Sequence, residues 1–569
     1  MSRRQRSALL AVCTLIVFLV AAGTRTLYLY WSPYPATLDG FNYAATAQVT
    51  VSDASFPVFE MAADTFTFTS LLVVGGLVTD KTPLTAAQPI VAVVGAGSCL
   101  TAVAIARRAG VDLGWPRKRR VLAATLAGLG VALSGVYVRR TGVADEEILG
   151  LLIVPLLAIA GYRALDSRRP AWGLLTALFV AVLPTIHNFS AIVGVVTLLS
   201  VAALHAARRP TLRNVLSSAV TIAGGWLWVL LYYNVAARFG LTFPYTDRLR
   251  EHPWLFVSWL VVLVVGVVWF RRTTGRNRRV TFGLPLVFGL VIVAVNVFTP
   301  IFPGTVPSPP RVAASVMVYV VVVLFAGYGA SYCGTSHSAR PAPVIVSLFA
   351  APLVLIYFAL TADLTPDFFG QIMRTQTFVH VPAFVLGGLG VAGLVSGTST
   401  RREEMRSVIA RILCRPAARR TVVAAFLVGA LLTLPLAYVD LDTGAAPSTT
   451  TDAEFEAAVF GTTHLCSSFT TDDPLVRISE PSPYMGDRAS GGIGGARRWL
   501  RNGEPPSGPT LTAESWTTTG AHFFPAAPET IPPAVHDAWI AERNLVYTSS
   551  GRNPLYFTTE PGAETATCR

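Results

Sequence analysis

The chain has 569 residues, of which 52% are hydrophobic and only 14% charged, and its mean hydropathy is +0.53. That is too apolar for a soluble protein of this size and places the chain in the polytopic membrane class. The net charge of +13 needs no nucleic acid to explain it, because the basic residues sit where anionic inner-leaflet lipids and the insertion machinery favour them.

In chain order, apolar stretches long enough to cross about 30 Å of hydrocarbon, roughly 17 to 25 residues each, begin near Ser7, Leu84, Val121, Ile148, Ala171, Asn188, Asn214, Trp254, Val280, Val312, Pro341, Phe378 and Thr421. That predicts about 13 transmembrane helices. The first follows "MSRRQR" without a small-residue cleavage site and reads as a retained helix rather than a signal peptide. Residues 24–83 then form a long outer stretch, aromatic and half apolar, that predicts amphipathic helices lying in the membrane interface.

Within it, "TFTFTSLLVVGGLV" (65–78) is too short to count as a span. With it left out, one set of loops holds 28 basic and four acidic residues, the opposite set nine and twelve, and the tail after Val439 eight and sixteen. This asymmetry predicts a cell-membrane, multi-pass protein with a cytoplasmic amino terminus and an extracellular tail. The span interiors carry no Asp, Glu, Lys or Arg, which argues against an ion-coupled transporter and moves the expected chemistry to the outer surface.

Residues 1–440 thus read as an α-helical membrane domain and 441–569 as a small α+β extracytoplasmic domain, separated by the linker "LDTGAAPSTTT". In the tail, "AEFEAAVFG" and "PAVHDAWIAERN" predict helices, "NLVYTSS" and "PLYFTTE" strands, and "GDRASGGIGGARRW" and "NGEPPSGP" loops. "GGIGGA" lacks the strand before it and the Lys-Ser/Thr after it that a phosphate-cradling loop needs. Of six cysteines only Cys466 and Cys568, both in the tail, could oxidise readily, with two free thiols as the alternative; no CxxC or His/Cys metal spacing occurs.

On the outer face, "ATLDGFNYA" places Asp39 just beyond the first span, and "RRTGVADEE" places Asp145, Glu146 and Glu147 at the entry to the fourth. Each acid also reads as a helix cap. Paired carboxylates, however, suit proton abstraction from an acceptor hydroxyl and orientation of a donor or a divalent ion. Arg139, Arg140, Arg311 and Arg374 lie on the same face against the positive-inside trend, and planar recognition of a phosphate would account for them, as would interface anchoring. His187 and His380 are also outside, and the "NFS" sequon at Asn188 abuts a span and is expected to be unused.

An acid in a long first outer loop ("LDGFNYA"), an acidic cluster in the next ("VADEEI"), some thirteen spans and an outer carboxy-terminal domain resemble the GT-C glycosyltransferases. Within that class the chain looks closest to archaeal dolichol-phosphate-mannose mannosyltransferases and more distantly like oligosaccharyltransferases, whose WWDYG-type acceptor motif has no counterpart in this tail. The resemblance implies a membrane hexosyltransferase using a dolichyl-phosphate-linked sugar, mannose first, and a hydroxyl of a surface glycoprotein glycan or lipid-linked glycan. It implies Asp39 as base, Asp145, Glu146 and Glu147 orienting sugar or acceptor, and Arg139, Arg140, Arg311, Arg374 and His187 at the donor phosphate. No cofactor is required on this reading; Asp39, Asp145 and Glu147 would hold Mg or Mn if an ion is used. The alternatives are an oligosaccharyltransferase acting on Asn and a flippase or exporter of lipid-linked glycans.

Overall fold

The computed structural model describes residues 3–57, 61, 63–241, 243–305, 307–334, 342–396, 416–438, 449–465, 467–480, 482–523, 528–551 and 553–562. The predicted boundary at 440, its linker, and Cys466 and Cys568 lie outside these residues. The apolar runs form helices because a chain in hydrocarbon must satisfy its backbone internally. In order they are α1 (Arg3–Thr26), α2 (Asp39–Asp53), α3 (Phe66–Thr79), α4 (Pro83–Asp112), α5 (Arg117–Leu133), α6 (Gly135–Thr141), α7 (Glu147–Ser167), α8 (Pro170–Ile186), α9 (Asn188–Arg208), α10 (Leu212–Ala237), α11 (Pro244–Glu251), α12 (Pro253–Arg272), α13 (Gly275–Val295), α14 (Pro310–Met317), α15 (Tyr319–Ala330), α16 (Ala342–Ala362) and α17 (Pro366–Ser396), followed by a helix at Pro416–Leu432.

Among the described residues eleven helices are long and apolar enough to cross a membrane, or twelve if α5 and α6, bent by 69° at Ser134, form one span. The remaining predicted span is α8, which at 17 residues falls just short because the chain breaks at His187 to start α9. α4, α5, α9 and α17 sit inside the bundle. Glycines permit that: a Cβ on Gly329 of α15 would stand 1.9 Å from the Leu386 carbonyl oxygen of α17, a close approach typical of membrane helices. α10, α12 and α13 turn apolar side chains such as Leu227, Val261 and Leu284 outward, as lipid-facing helices do.

The α5–α6 break is held by side chains that replace the lost helical bonds. The Ser134 hydroxyl lies 2.7 Å from the Tyr319 hydroxyl and 2.9 Å from His380 Nδ1, and Gly135 N–H donates to Thr433 Oγ1 at 3.1 Å. His380 is therefore an interior group, not an outer one. A Cβ on Gly135 would meet the Thr433 carbonyl oxygen at 1.8 Å. Gly135→Ala is expected to lower stability by about 1–3 kcal/mol through overpacking, whereas Gly266→Ala on α12, with nothing within 4 Å, should not; thermal unfolding in detergent separates the two.

Two span ends differ from the sequence expectation. α17 begins at Pro366, twelve residues before the predicted start, so Arg374 lies inside the helix. Arg25, read as an outer-loop residue, is completely buried at the end of α1. Its guanidinium donates to Thr141 Oγ1 (2.9 and 2.6 Å) and to the Ala21 carbonyl (2.9 Å), and it touches no carboxylate among the described residues. The "no charge in the interior" reading missed it because a basic residue near a span end looks solvated in one dimension.

α3 does not cross. Its 14 residues span about 21 Å, and a Cβ on Gly40 would lie 3.0 Å from that of Ala144. Between these positions the chain crosses on α4 and returns on α5–α6; a third crossing would put them at opposite ends.

The tail builds a five-stranded mixed sheet, order β2-β1-β3-β5-β4, from β1 (Phe469–Thr470), β2 (Gly491–Gly492), β3 (Thr510–Ala513), β4 (Asn544–Thr548) and β5 (Leu555–Thr559). β1 pairs parallel with β2 and β3, and β5 antiparallel with β3 and β4, Leu511 facing Phe557. Helices at Asp452–His464, Asp473–Ile478, Gly494–Asn502 and Pro533–Ala541 flank it. Gly494–Asn502 corrects a predicted loop: Ala496 and Trp499 fall on one helical face, and Trp499 packs 4.5 Å from Trp539.

This unit shares a core with the membrane part. Leu38, Phe41 and Ala44 of the first loop and Leu84 of α4 cluster with Phe469, Leu475 and Trp516. Tyr34 stacks on Phe455 at 4.5 Å, and the Tyr484 hydroxyl bonds the Ala44 carbonyl and the Leu84 N–H, both at 3.3 Å.

Candidate active site at one end of the helical bundle

Local sequence sets the first part of the site. "ADEEI" opens α7: Asp145 Oδ1 accepts from the Glu147 N–H at 3.0 Å, as an acid before a helix does. That turn leaves Asp145, Glu146 and Glu147 almost fully enclosed. Glu147 is 0% exposed, its oxygens have no hydrogen-bond partner among the described residues, and they face Arg140 (4.0 Å) and Arg374 (3.7 Å). Hence Glu147, expected to orient a substrate, cannot touch one here; it holds two arginines.

His187 ends α8 and caps α9. Its Nδ1 lies 3.4 Å from the Ser190 N of the first turn of α9 and 2.9 Å from Ser190 Oγ, and its Nε2 lies 2.9 Å from Arg374 Nη1. Burial, together with Arg374, pushes His187 down to about 3. A neutral enclosed imidazole does not bind phosphate by charge, so His187 is a support for Arg374 rather than the phosphate ligand expected. Asn188 is buried too, its N–H 3.3 Å from Asp64 Oδ2, so the sequon is inaccessible.

The carboxylates divide by environment. Burial would raise Asp145, but the Arg374 charge, the Glu147 N–H and the Arg140 charge outweigh it and keep it low and ionised. Burial and then the Asp145 charge push Glu146 well up from the usual carboxylate range; it is hydrogen-bonded to the Tyr43 hydroxyl. Asp39, at the start of α2, has a half-exposed side chain; partial burial and Asp145 raise it, while Arg477 and Arg374 pull it back. Asp39 is thus the accessible acid of the group.

The structure brings Asp39, Asp145, Glu146, Glu147, Arg140, Arg374 and His187 to one end. It does not bring in Arg139, which is exposed and acts on Tyr28, or Arg311, exposed in the first turn of α14; the leading charges on the carboxylates are Arg374, Arg140 and Arg477. Sequence reasoning missed Tyr43, although it lies four residues after Asp39 on one helical face. It also missed Asp64 and Arg477, for which no local signal exists.

A divalent ion would need Asp39, Asp145 and Glu147 to converge. Among the described residues no three His, Cys, Asp or Glu groups are placed to hold a metal, and Glu147 and Asp39 each face a guanidinium instead. This donor set does not fit the ion.

No protein-family model matches the chain, and no curated protein does. Among solved structures 18 chains match. The Archaeoglobus fulgidus oligosaccharyltransferase in the apo form aligns with a TM-score of 0.53 and 12% identity over 91% of this chain and 70% of that one. The same protein tethered by a disulfide to an acceptor peptide containing the NVT sequon gives 0.51 and 13% over the same shares. At such identity the likeness is one of fold: this chain is a polytopic helical membrane protein that shares the fold of that structure, with a small α+β unit near its carboxy terminus.

Proposed function

We propose that the chain is an inverting membrane glycosyltransferase that moves a hexose, mannose in the simplest case, from dolichyl phosphate to a hydroxyl of a surface glycoprotein glycan on the external face. The observation that carries this reading is the accessible carboxylate of Asp39, paired with Arg477 and acted on by Arg374, whose guanidinium shares the buried acid Glu147 with Arg140. Asp39 takes the acceptor proton as the hydroxyl oxygen bonds the anomeric carbon. The bond to dolichyl phosphate breaks, and its electron pair leaves with the phosphate. Arg374 and Arg140 stabilise that developing charge, a large contribution in a site shielded from water. Asp145 and Glu146 shape the sugar's side, and the arginines supply the positive charge.

The shared fold favours one second reading, transfer of a lipid-linked oligosaccharide to Asn. Against it, Trp499, Trp516 and Trp539 of the tail all pack into its core, leaving none to present to a sequon peptide. The two separate in one assay of the purified protein: labelled hexose from dolichyl phosphate onto deglycosylated surface glycoprotein, against oligosaccharide transfer to a sequon peptide with and without Mg or Mn. Transfer only in the second arm would overturn the proposal.

The external placement rests on the charge asymmetry and has its own check. Lys81→Cys, in the exposed turn between α3 and α4 and so on the Asp39 side, should be labelled by an impermeant maleimide on intact cells. Lys118→Cys, exposed at the opposite end of α5, should react only after permeabilisation; the reverse pattern would put the site inside.

A further inference from the structure

Arg477 is the one arginine of the cluster that does not come from the membrane helices. It lies on the Asp473–Ile478 helix of the tail; its Nε is 3.0 Å from Asp473 Oδ2 and its Nη1 is 3.4 Å from Asp39 Oδ1. We propose that Arg477 is a positioning residue which the tail contributes to the transfer site, clamping Asp39 to Asp473 so that one carboxylate oxygen of Asp39 is held by the guanidinium and the other is left for the acceptor proton. The inference rests on the reading of Asp39 as the base.

Magnitudes separate this role from simple docking. The tail is already fixed by apolar burial of Leu38, Phe41 and Leu84, by the Tyr34–Phe455 stack and by the Tyr484 hydrogen bonds. A half-exposed ion pair adds little to such an interface. Its effect on Asp39 is another matter. Asp39 is faced by Asp145 from the turn before α7, by Arg374 from α17, and by Arg477 and Asp473 from the tail. Burial and the two acids favour the protonated form, and Arg477 is the strongest opposing charge. Without it Asp39 gains protons and stops accepting them, most severely at low pH. A seated tail therefore favours the ionised base.

The test uses the full-length protein in membranes and measures hexose transfer from dolichyl phosphate across pH 5 to 9 (about the range in which such a base titrates) for the wild type, Arg477→Gln, Arg477→Lys and Asp39→Asn. Arg477→Gln should lose roughly tenfold near the acid end, move the acid limb up by about one pH unit and approach the wild type at alkaline pH. Arg477→Lys, which keeps the charge, should stay within about threefold of the wild type with little movement of that limb. Elution profile and thermal unfolding confirm that each variant folds. A uniform loss in Arg477→Gln with an unmoved limb, or no loss at all, overturns the positioning role while an inactive Asp39→Asn leaves the base intact. An active Asp39→Asn overturns both.

Discussion

Asp39→Asn is expected to lower hexose transfer by about 10²–10⁴-fold with the protein present at normal level, the range by which a positioned base accelerates such a step. The substitution keeps the shape of a half-exposed side chain at the start of α2 and removes its capacity to take a proton, together with the charge that faces Arg477. Asp39 is the one member of the cluster that meets both requirements of a base. Asp145 is ionised but enclosed, and Glu146 is enclosed, with burial and the Asp145 charge favouring its protonated form. Membranes carrying each variant, supplied with labelled dolichyl phosphate hexose, provide the measurement. Undiminished transfer in Asp39→Asn would leave the geometry without an accessible base.

Arg374→Met is expected to act on both activity and folding. It takes from Glu147, 0% exposed, the nearer of its two guanidinium partners, and an uncompensated buried charge costs about 3–5 kcal/mol, here toward the lower end because Arg140 remains at 4.0 Å. It also removes the charge opposite the leaving phosphate, worth about 10²–10³-fold in rate if it matches other fixed donors at developing anions. The double variant Arg374→Met/Glu147→Gln removes the buried charge along with its partner. Thermal unfolding in detergent should recover in the double variant while transfer does not. Recovery of both would show that Arg374 serves the fold alone.

The legible part of the site was the part written within one turn of chain. Arg139 to Glu147 announced acids beside bases, and Asp39 stood out at a span end. What those residues do was not legible, because the role depends on partners far away in sequence. Glu147 reads as a substrate-facing acid until α6 and α17 enclose it, and His187 as a phosphate ligand until Arg374 lies against its Nε2. Arg374 itself was placed in a loop because hydropathy dips around it, whereas its helix starts at Pro366; a single arginine satisfied by His187 and Glu147 does not end a helix. Arg477 carries no signal at all: one basic residue in a polar tail becomes part of the site only when Phe41 and Leu475 join one core. The fold was read more fully than the chemistry, since length and apolarity fix spans one at a time.

Arg25 has a consequence for how the protein is made. α1 leaves the ribosome before α6, yet the hydroxyl to which the Arg25 guanidinium donates belongs to Thr141, 116 residues later. At about 5–20 residues per second that interval is on the order of ten seconds. Throughout it a charged group at the end of α1 has to stay at the lipid headgroups, where Arg25 reaches water. Only when α6 arrives can α1 sink to its final depth and pull Arg25 out of water. Insertion and packing of α1 are therefore two separate events, and the second waits for the segment that carries Arg140.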